Sequence, residues 1–171
     1  LATIFNVSKS DIRAKIHNIE HHRSHIASSF FASKFKKSAI LSIDGFGDFT
    51  STMTAIGTYN NIEVLDSVNY PHSLGVFYTT VTRFLGLPNY GDEYKVMGLA
   101  QYGEDKYLKE LSSIIEKTAD GFFVLNKKYF KHFKEGVAMD WENGEPTVDF
   151  LYTKSWEELF WKSRKKGDTL E

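Results

Sequence analysis

Two histidines four residues apart, His21 and His25, and an aspartate that closes an apolar run, Asp44, have the types and spacing to hold a metal ion. A helix puts positions i and i+4 on one face, so two imidazoles can reach one cation. His22 then points elsewhere. The same spacing also suits two solvent-facing imidazoles. Asp44 ends a strand-like stretch just before a glycine, where its carboxylate emerges from the sheet edge; a turn-capping aspartate would occupy the same place. Two imidazoles and a carboxylate form an open, facial donor set that leaves room for substrate oxygen, as in catalytic Fe(II) or Zn sites. The 171 residues include no cysteine. Thiolate ligands and disulfides are therefore excluded, and any metal must be held by His, Asp, Glu or backbone oxygen.

A second group is the run Asp44-Gly45-Phe46-Gly47-Asp48-Phe49-Thr50. Glycines in a strand-turn-strand hairpin let backbone amides converge in a concavity fit for phosphate. An ordinary β-turn uses glycines the same way. The third group pairs Pro71-His72-Ser73-Leu74-Gly75 with the stretch from Gly91 to Ala100, which holds Asp92, Glu93, Lys95, Met97 and Leu99. Acid, base and glycine at a helix start suit a nucleotide or another anion, with Lys95 as a point charge. Solvated Glu93 and Lys95 over a core formed by Met97 and Leu99 account for the same pattern.

The elements that must position these residues follow from periodicity. Residues 16–20 read as a short strand. Residues 21–33 read as a helix with Ile26, Phe30 and Ser33 on one side. An apolar strand over 38–44, the glycine break, a Thr-rich strand over 50–58 and an alternating strand over 61–68 predict an antiparallel meander. After a turn at Tyr70-Pro71, Leu74, Phe77, Val81 and Phe84 recur at helical spacing behind Ser73 as N-cap. A loop over 86–91, a short helix through 94–100 and a helix over about 104–117 come next. Residues 122–125 and 129–133 read as a strand and its aromatic continuation. Residues 142–146 form a turn, and Ser155 with Glu158 predicts a capping box opening a last helix.

A composition 42% hydrophobic and 15% aromatic fits an ordered globular domain. With 21 basic and 22 acidic side chains the net charge is -1, so no overall field favours nucleic acid or an anionic membrane. The only local bias is residues 162–166, with Arg164 and three lysines, which suits a solvated helix end. No apolar stretch approaches a membrane span and no signal-peptide pattern opens the chain, so a cytoplasmic location is expected. The chain begins at Leu1 and stops at Glu171 in a charged run; an excised fragment is expected.

With all three groups in order, the chain resembles the nodulation-protein and antibiotic-tailoring O-carbamoyltransferase family. The matching positions are His21-His22-x-x-His25-x-Ala27-Ser28, Asp44-Gly45-x-Gly47-Asp48, Pro71-His72-Ser73-Leu74-Gly75-x-Phe77-Tyr78 and the run from Gly91 to Gly103. Asp48 stands where Glu is more usual, and Ile26 where Ala is frequent. The resemblance implies an α/β (mixed α+β) fold: residues 1–171 as part of an actin-like ATPase, ribonuclease-H-like domain, with a mixed sheet flanked by helices. It implies Fe2+ or another divalent ion on His21, His25 and Asp44, with a further acidic ligand beyond this chain and no catalytic residue outside the metal site. It implies ATP and carbamoyl-adenylate as nucleotides, met by backbone amides at Gly45, Gly47 and Gly91 and by Glu93 and Lys95. The implied partners are carbamoyl phosphate, a small-molecule hydroxyl acceptor of sugar or antibiotic type, and a C-terminal adenylating domain. The fragment alone is expected to be inactive. Two rivals remain at this point: an actin-like sugar kinase, against which the histidine pair argues because Mg2+ prefers oxygen ligands, and a non-catalytic, metal-stabilised interaction module.

Overall fold

The structure, a computed structural model, describes residues 1–165, 167 and 168. Lys166 of the basic run and the charged end at residues 169–171 lie outside them. In chain order the elements are α1 (Ala2–Phe5), α2 (His21–Phe31), β1 (Lys37–Gly47), β2 (Thr50–Thr58), β3 (Asn61–Asn69), α3 (Leu74–Phe84), α4 (Glu93–Ala100), α5 (Leu108–Ile114), β4 (Ile115–Lys117), β5 (Phe123–Leu125), α6 (His132–Glu135), β6 (Met139–Glu142), β7 (Glu145–Val148) and α7 (Ser155–Leu159).

The fold is mixed α+β, and every strand pairing among the described residues is antiparallel. A mixed sheet is therefore not what forms here: short turns join successive strands of the meander β1-β2-β3, and two hairpins, β4-β5 and β6-β7, stand apart from it. Ile40, Ala55 and Val64 face one another across the three strands. Helix α2 covers that row. Its Ile26 is fully buried against Met53 and Ala55, with Ile40, Ile62 and Val64 around it. Phe30 lies over Gly57, where an added Cβ would come within 2.6 Å of the ring.

A second core is aromatic. Phe84 from α3 meets Ile114, Leu125, Tyr129, Phe130 and Trp156, and the Trp156 indole donates to the Tyr129 carbonyl at 2.9 Å. Two polar contacts tie this core to the turn after β3: His132 Nε2 donates to the Pro71 carbonyl at 2.8 Å, and the Leu125 amide donates to His72 Nδ1 at 3.0 Å.

Several expectations are corrected. Residues 16–20 form no strand: Ile16 and Ile19 stand in solvent with no strand among the described residues to pair with. The helix over 104–117 shortens to α5, because residues 115–117 pair with β5 instead. The aromatic run 129–133 is not a continuous strand. Only Phe130 makes a bridge, to Tyr152, while a 3-10 turn precedes it and α6 follows. Lys154, not Ser155, is the N-cap of α7, and no side-chain hydrogen bond closes a box there.

Candidate metal centre and adjoining cavity

Helix α2 begins where carboxylates can hold its free amides. Glu20 accepts from the His22 and Arg23 amides at 3.0 and 2.7 Å, and Asp48 accepts from the His21 amide at 3.1 Å. Negative charge suits a helix N-terminus. Because Asp48 belongs to the β1-β2 turn, that bond also ties the hairpin to the helix.

On this frame His21, His25 and Asp44 converge, with one donor atom from each lying within 4.8 Å of the others. His21 Nε2 is 3.1 Å from Asp44 Oδ2 and 2.9 Å from His25 Nε2; His25 Nε2 is 3.8 Å from the same carboxylate oxygen. Donors around one cation with bonds of about 2.1 Å sit roughly 3.0–3.4 Å apart; the two His21 separations lie close to that span, while His25 must close on Asp44 by about 0.4 Å for all three to share an ion. A single proton on His21 Nε2 cannot serve both neighbours fully, whereas a cation engages all three lone pairs. Burial pushes the Asp44 carboxyl up, but the His21 hydrogen bond, the Gly45 amide and the nearby imidazoles outweigh it and leave the group below its ordinary range. The Gly45 amide donates to Asp44 Oδ1 at 2.7 Å, which leaves Oδ2 aimed at the imidazoles.

The two hairpin glycines do different things. Gly47 touches the His21 ring: an added Cβ would fall 2.0 Å from ring atoms. Nothing lies within 4 Å of a Cβ at Gly45, and this residue borders a cavity of about 520 Å³ together with Asp44, Tyr78, Thr79, Gly91 and Glu93. Thr79 donates to Glu93 Oε1 at 2.6 Å. Lys95 pairs with the buried Asp92 at 2.6 Å and is not among the residues that wall the cavity. Of the five residues expected at a nucleotide, the structure thus brings Gly45, Gly91 and Glu93 to one cavity and sets Gly47 and Lys95 outside it. Met97 and Leu99 are exposed rather than core.

Three further groups build this site, and sequence reasoning gave none of them a contact with the metal-site hairpin. Ser73 accepts from the Val76 amide as N-cap, and its hydroxyl donates to the Gly45 carbonyl at 2.6 Å. Gly75 abuts the Asp44-Gly45 peptide so closely that a Cβ would meet it at 2.6–2.7 Å. Ser42 lies 2.7 Å from the buried His22. The Ser73-Leu74-Gly75 string carried the first two signals, as cap and close approach; nothing local marked Ser42.

Compared with known proteins, residues 1–144 match the family model described as "Carbamoyltransferase N-terminus". A Synechocystis protein designated sll1178 is 39% identical over 140 residues, 81% of this chain and 22% of that protein. Nodulation protein NolO of Bradyrhizobium diazoefficiens is 44% identical over 93 residues, 54% of this chain and 17% of its own length. Nodulation protein NolNO of Sinorhizobium fredii is 43% identical over 91 residues, 53% of this chain and 13% of its own. The chain thus spans less than a quarter of the length of each of these three relatives. No helix among the described residues is long and apolar enough to cross a membrane.

Proposed function

The chain belongs to the family of carbamoyltransferase N-termini, and from that premise we propose that it is the metal-holding part of an ATP-dependent O-carbamoyltransferase. The observation that supports this reading is the convergence of His21, His25 and Asp44 beside a cavity bordered by Gly45, Gly91 and Glu93. The reading carries with it an actin-like ATPase fold completed by the rest of a longer protein, a cytoplasmic location, and a downstream domain that makes carbamoyl-adenylate from carbamoyl phosphate and ATP. The acceptor is a hydroxyl of a small molecule.

His21, His25 and Asp44 act here as donors to Fe2+ or another divalent ion, not as proton-transfer bases. Such an ion, when bound, supplies Lewis acidity at the reacting oxygens and lowers the cost of oxyanion formation during acyl transfer. The chain's own residues supply position. Gly45 fixes the Asp44 carboxylate, and Gly91 lets the chain pass close to a ligand with φ +83. Thr79 holds one oxygen of Glu93 and leaves the other for nucleotide hydroxyls.

In the full-length protein, His25→Ala should abolish iron uptake; unchanged iron content would defeat the ligand assignment. Labelled ATP identifies the reaction class, since carbamoyl transfer through the adenylate releases AMP and pyrophosphate from ATP and orthophosphate from carbamoyl phosphate, whereas ADP as product indicates a kinase. The present chain alone should turn over no carbamoyl phosphate, and a full-length protein no faster than it would contradict the proposal.

A further inference from the structure

The His22 side chain, between the two histidines of the candidate metal site, is turned away from it and is fully buried. A helix advances about 100° per residue. If His22 points straight at the sheet, His21 and His25 therefore fall on one flank, roughly 40° apart. The direction of His22 thus fixes where both rings aim.

Two hydrogen bonds fix that direction. His22 Nε2 is 2.9 Å from the Thr50 carbonyl and Nδ1 is 2.7 Å from Ser42 Oγ. A carbonyl only accepts, so Nε2 donates, and in the neutral ring Nδ1 accepts the serine hydroxyl. Both partners flank the hairpin that carries Asp44: Ser42 stands two residues before it on β1, and Thr50 is the first residue of β2. Alternate residues of a strand share a face. Ile40, Ser42 and Asp44 accordingly meet α2 in succession: Ile40 packs beside Ile26, Ser42 bonds His22, and Asp44 reaches His21.

We propose that His22 is a positioning residue for the metal site, a clamp that locks the rotation of α2 against β1 and β2 so that His21 and His25 meet Asp44. The inference rests on the assignment of those three residues as ligands. An apolar residue would fill the space but leave the helix free to roll, because nonpolar contacts have no direction. The two bonds set an angle.

The test uses full-length protein and Co2+ as the probe, reading affinity by calorimetry, the visible ligand-field bands and the urea midpoint in parallel. His22→Gln keeps an amide donor in reach of Thr50 and loses the acceptor for Ser42; Ser42→Ala removes the hydroxyl alone; Ile26→Val weakens the same helix face without touching either bond. We expect His22→Gln and Ser42→Ala to weaken Co2+ binding by about tenfold or more and to alter the visible bands. Ile26→Val should lower the urea midpoint and leave both metal readouts at wild-type values. Equal loss of affinity in Ile26→Val would reduce His22 to a packing residue and overturn the inference, as would unchanged Co2+ binding in folded His22→Gln and Ser42→Ala. Wild-type protein that takes up no Co2+ overturns the ligand assignment and this inference together.

Discussion

Gly47→Ala tests the site at its tightest contact. The added methyl carbon falls 2.0 Å from Cγ and Cδ2 of His21 and 2.6 Å from its Cβ, whereas carbon atoms settle at about 3.5–4.0 Å. The ring must therefore retreat by roughly 1.5 Å, or the hairpin must open by as much. Overpacking of this kind costs about 1–3 kcal/mol of stability. The effect on the site is larger in proportion, because His21 Nε2 sits 3.1 Å from Asp44 Oδ2 and 2.9 Å from His25 Nε2, and such a retreat takes it out of reach of an ion held by the other two. Losing one of three donors should weaken divalent-metal binding at least about 100-fold, which corresponds to roughly 2.8 kcal/mol.

Gly45→Ala is the matched control two residues away. No atom lies within 4 Å of the new carbon, so metal affinity should stay within about threefold of wild type, a difference under 1 kcal/mol. Because Gly45 borders the cavity, its methyl group should instead raise the KM for ATP. Calorimetric titration of both full-length variants with Co2+, followed by nucleotide kinetics, gives the two readouts. Wild-type affinity in a folded Gly47→Ala protein, or equal loss in both variants, would refute the steric argument.

Trp156→Ala removes the centre of the aromatic core, 1% exposed and bonded to the Tyr129 carbonyl; it should cost about 3–5 kcal/mol in urea denaturation and leave Co2+ affinity intact in the folded fraction. His132 should make stability pH-dependent: burial holds its pKa below 6.5, against the Pro71 hydrogen bond that raises it, so the unfolded chain takes up the proton first. Stability then falls as pH drops from about 6.5 and levels off below the depressed folded value; a slope unchanged in His132→Asn would contradict this. Asp92 shows the opposite element of control. Burial raises its pKa, but Lys95 and the Asn89 amide overcome this and hold it below 3.8, so its contribution is complete above about pH 4 and is lost as pH falls through the folded value. Asp92→Asn should lower the urea midpoint at pH 7 and converge with wild type at strongly acidic pH.

What the sequence made legible is what local periodicity controls. The spacing of Ile26 and Phe30 marks the buried face of α2, and the same helix puts His21 and His25 together whatever else the chain does. The Thr-rich β2 and the Ser73 cap were readable for the same reason. Misreadings fall where a distant partner decides. Residues 115–117 continue a helical pattern until β5 offers them a ladder. Residues 129–133 are rich in aromatics as strands often are, yet Phe130 and His132 pack into a compact aromatic cluster with Trp156 and Phe133, and the backbone bends to provide it. Residues 16–20 have a strand-like pattern but no strand partner among the described residues, and a lone strand leaves its amides and carbonyls to water.

The glycines of the hairpin show why a site motif can be legible while its physics is not. Read locally, Gly45 and Gly47 suggested a phosphate cradle, but each position is also constrained from outside the hairpin. Gly47 makes room for the ring of His21. The Asp44-Gly45 peptide is pressed by the start of α3, where Gly75 has no space for a Cβ and Ser73 bonds the Gly45 carbonyl. The N-terminus of α3, with its partial positive charge, therefore rests against the residue that carries the carboxylate of the candidate metal site. The far end of the same helix is Phe84, in the aromatic core. Asp44 is thus held between two cores, α2 tying it to the sheet cluster and α3 to the aromatic one. A perturbation in the second core reaches the carboxylate where it moves α3 as a body or shifts the Pro71-His72 turn that His132 and Leu125 bond; losing the Trp156 ring alone leaves both of these connections in place.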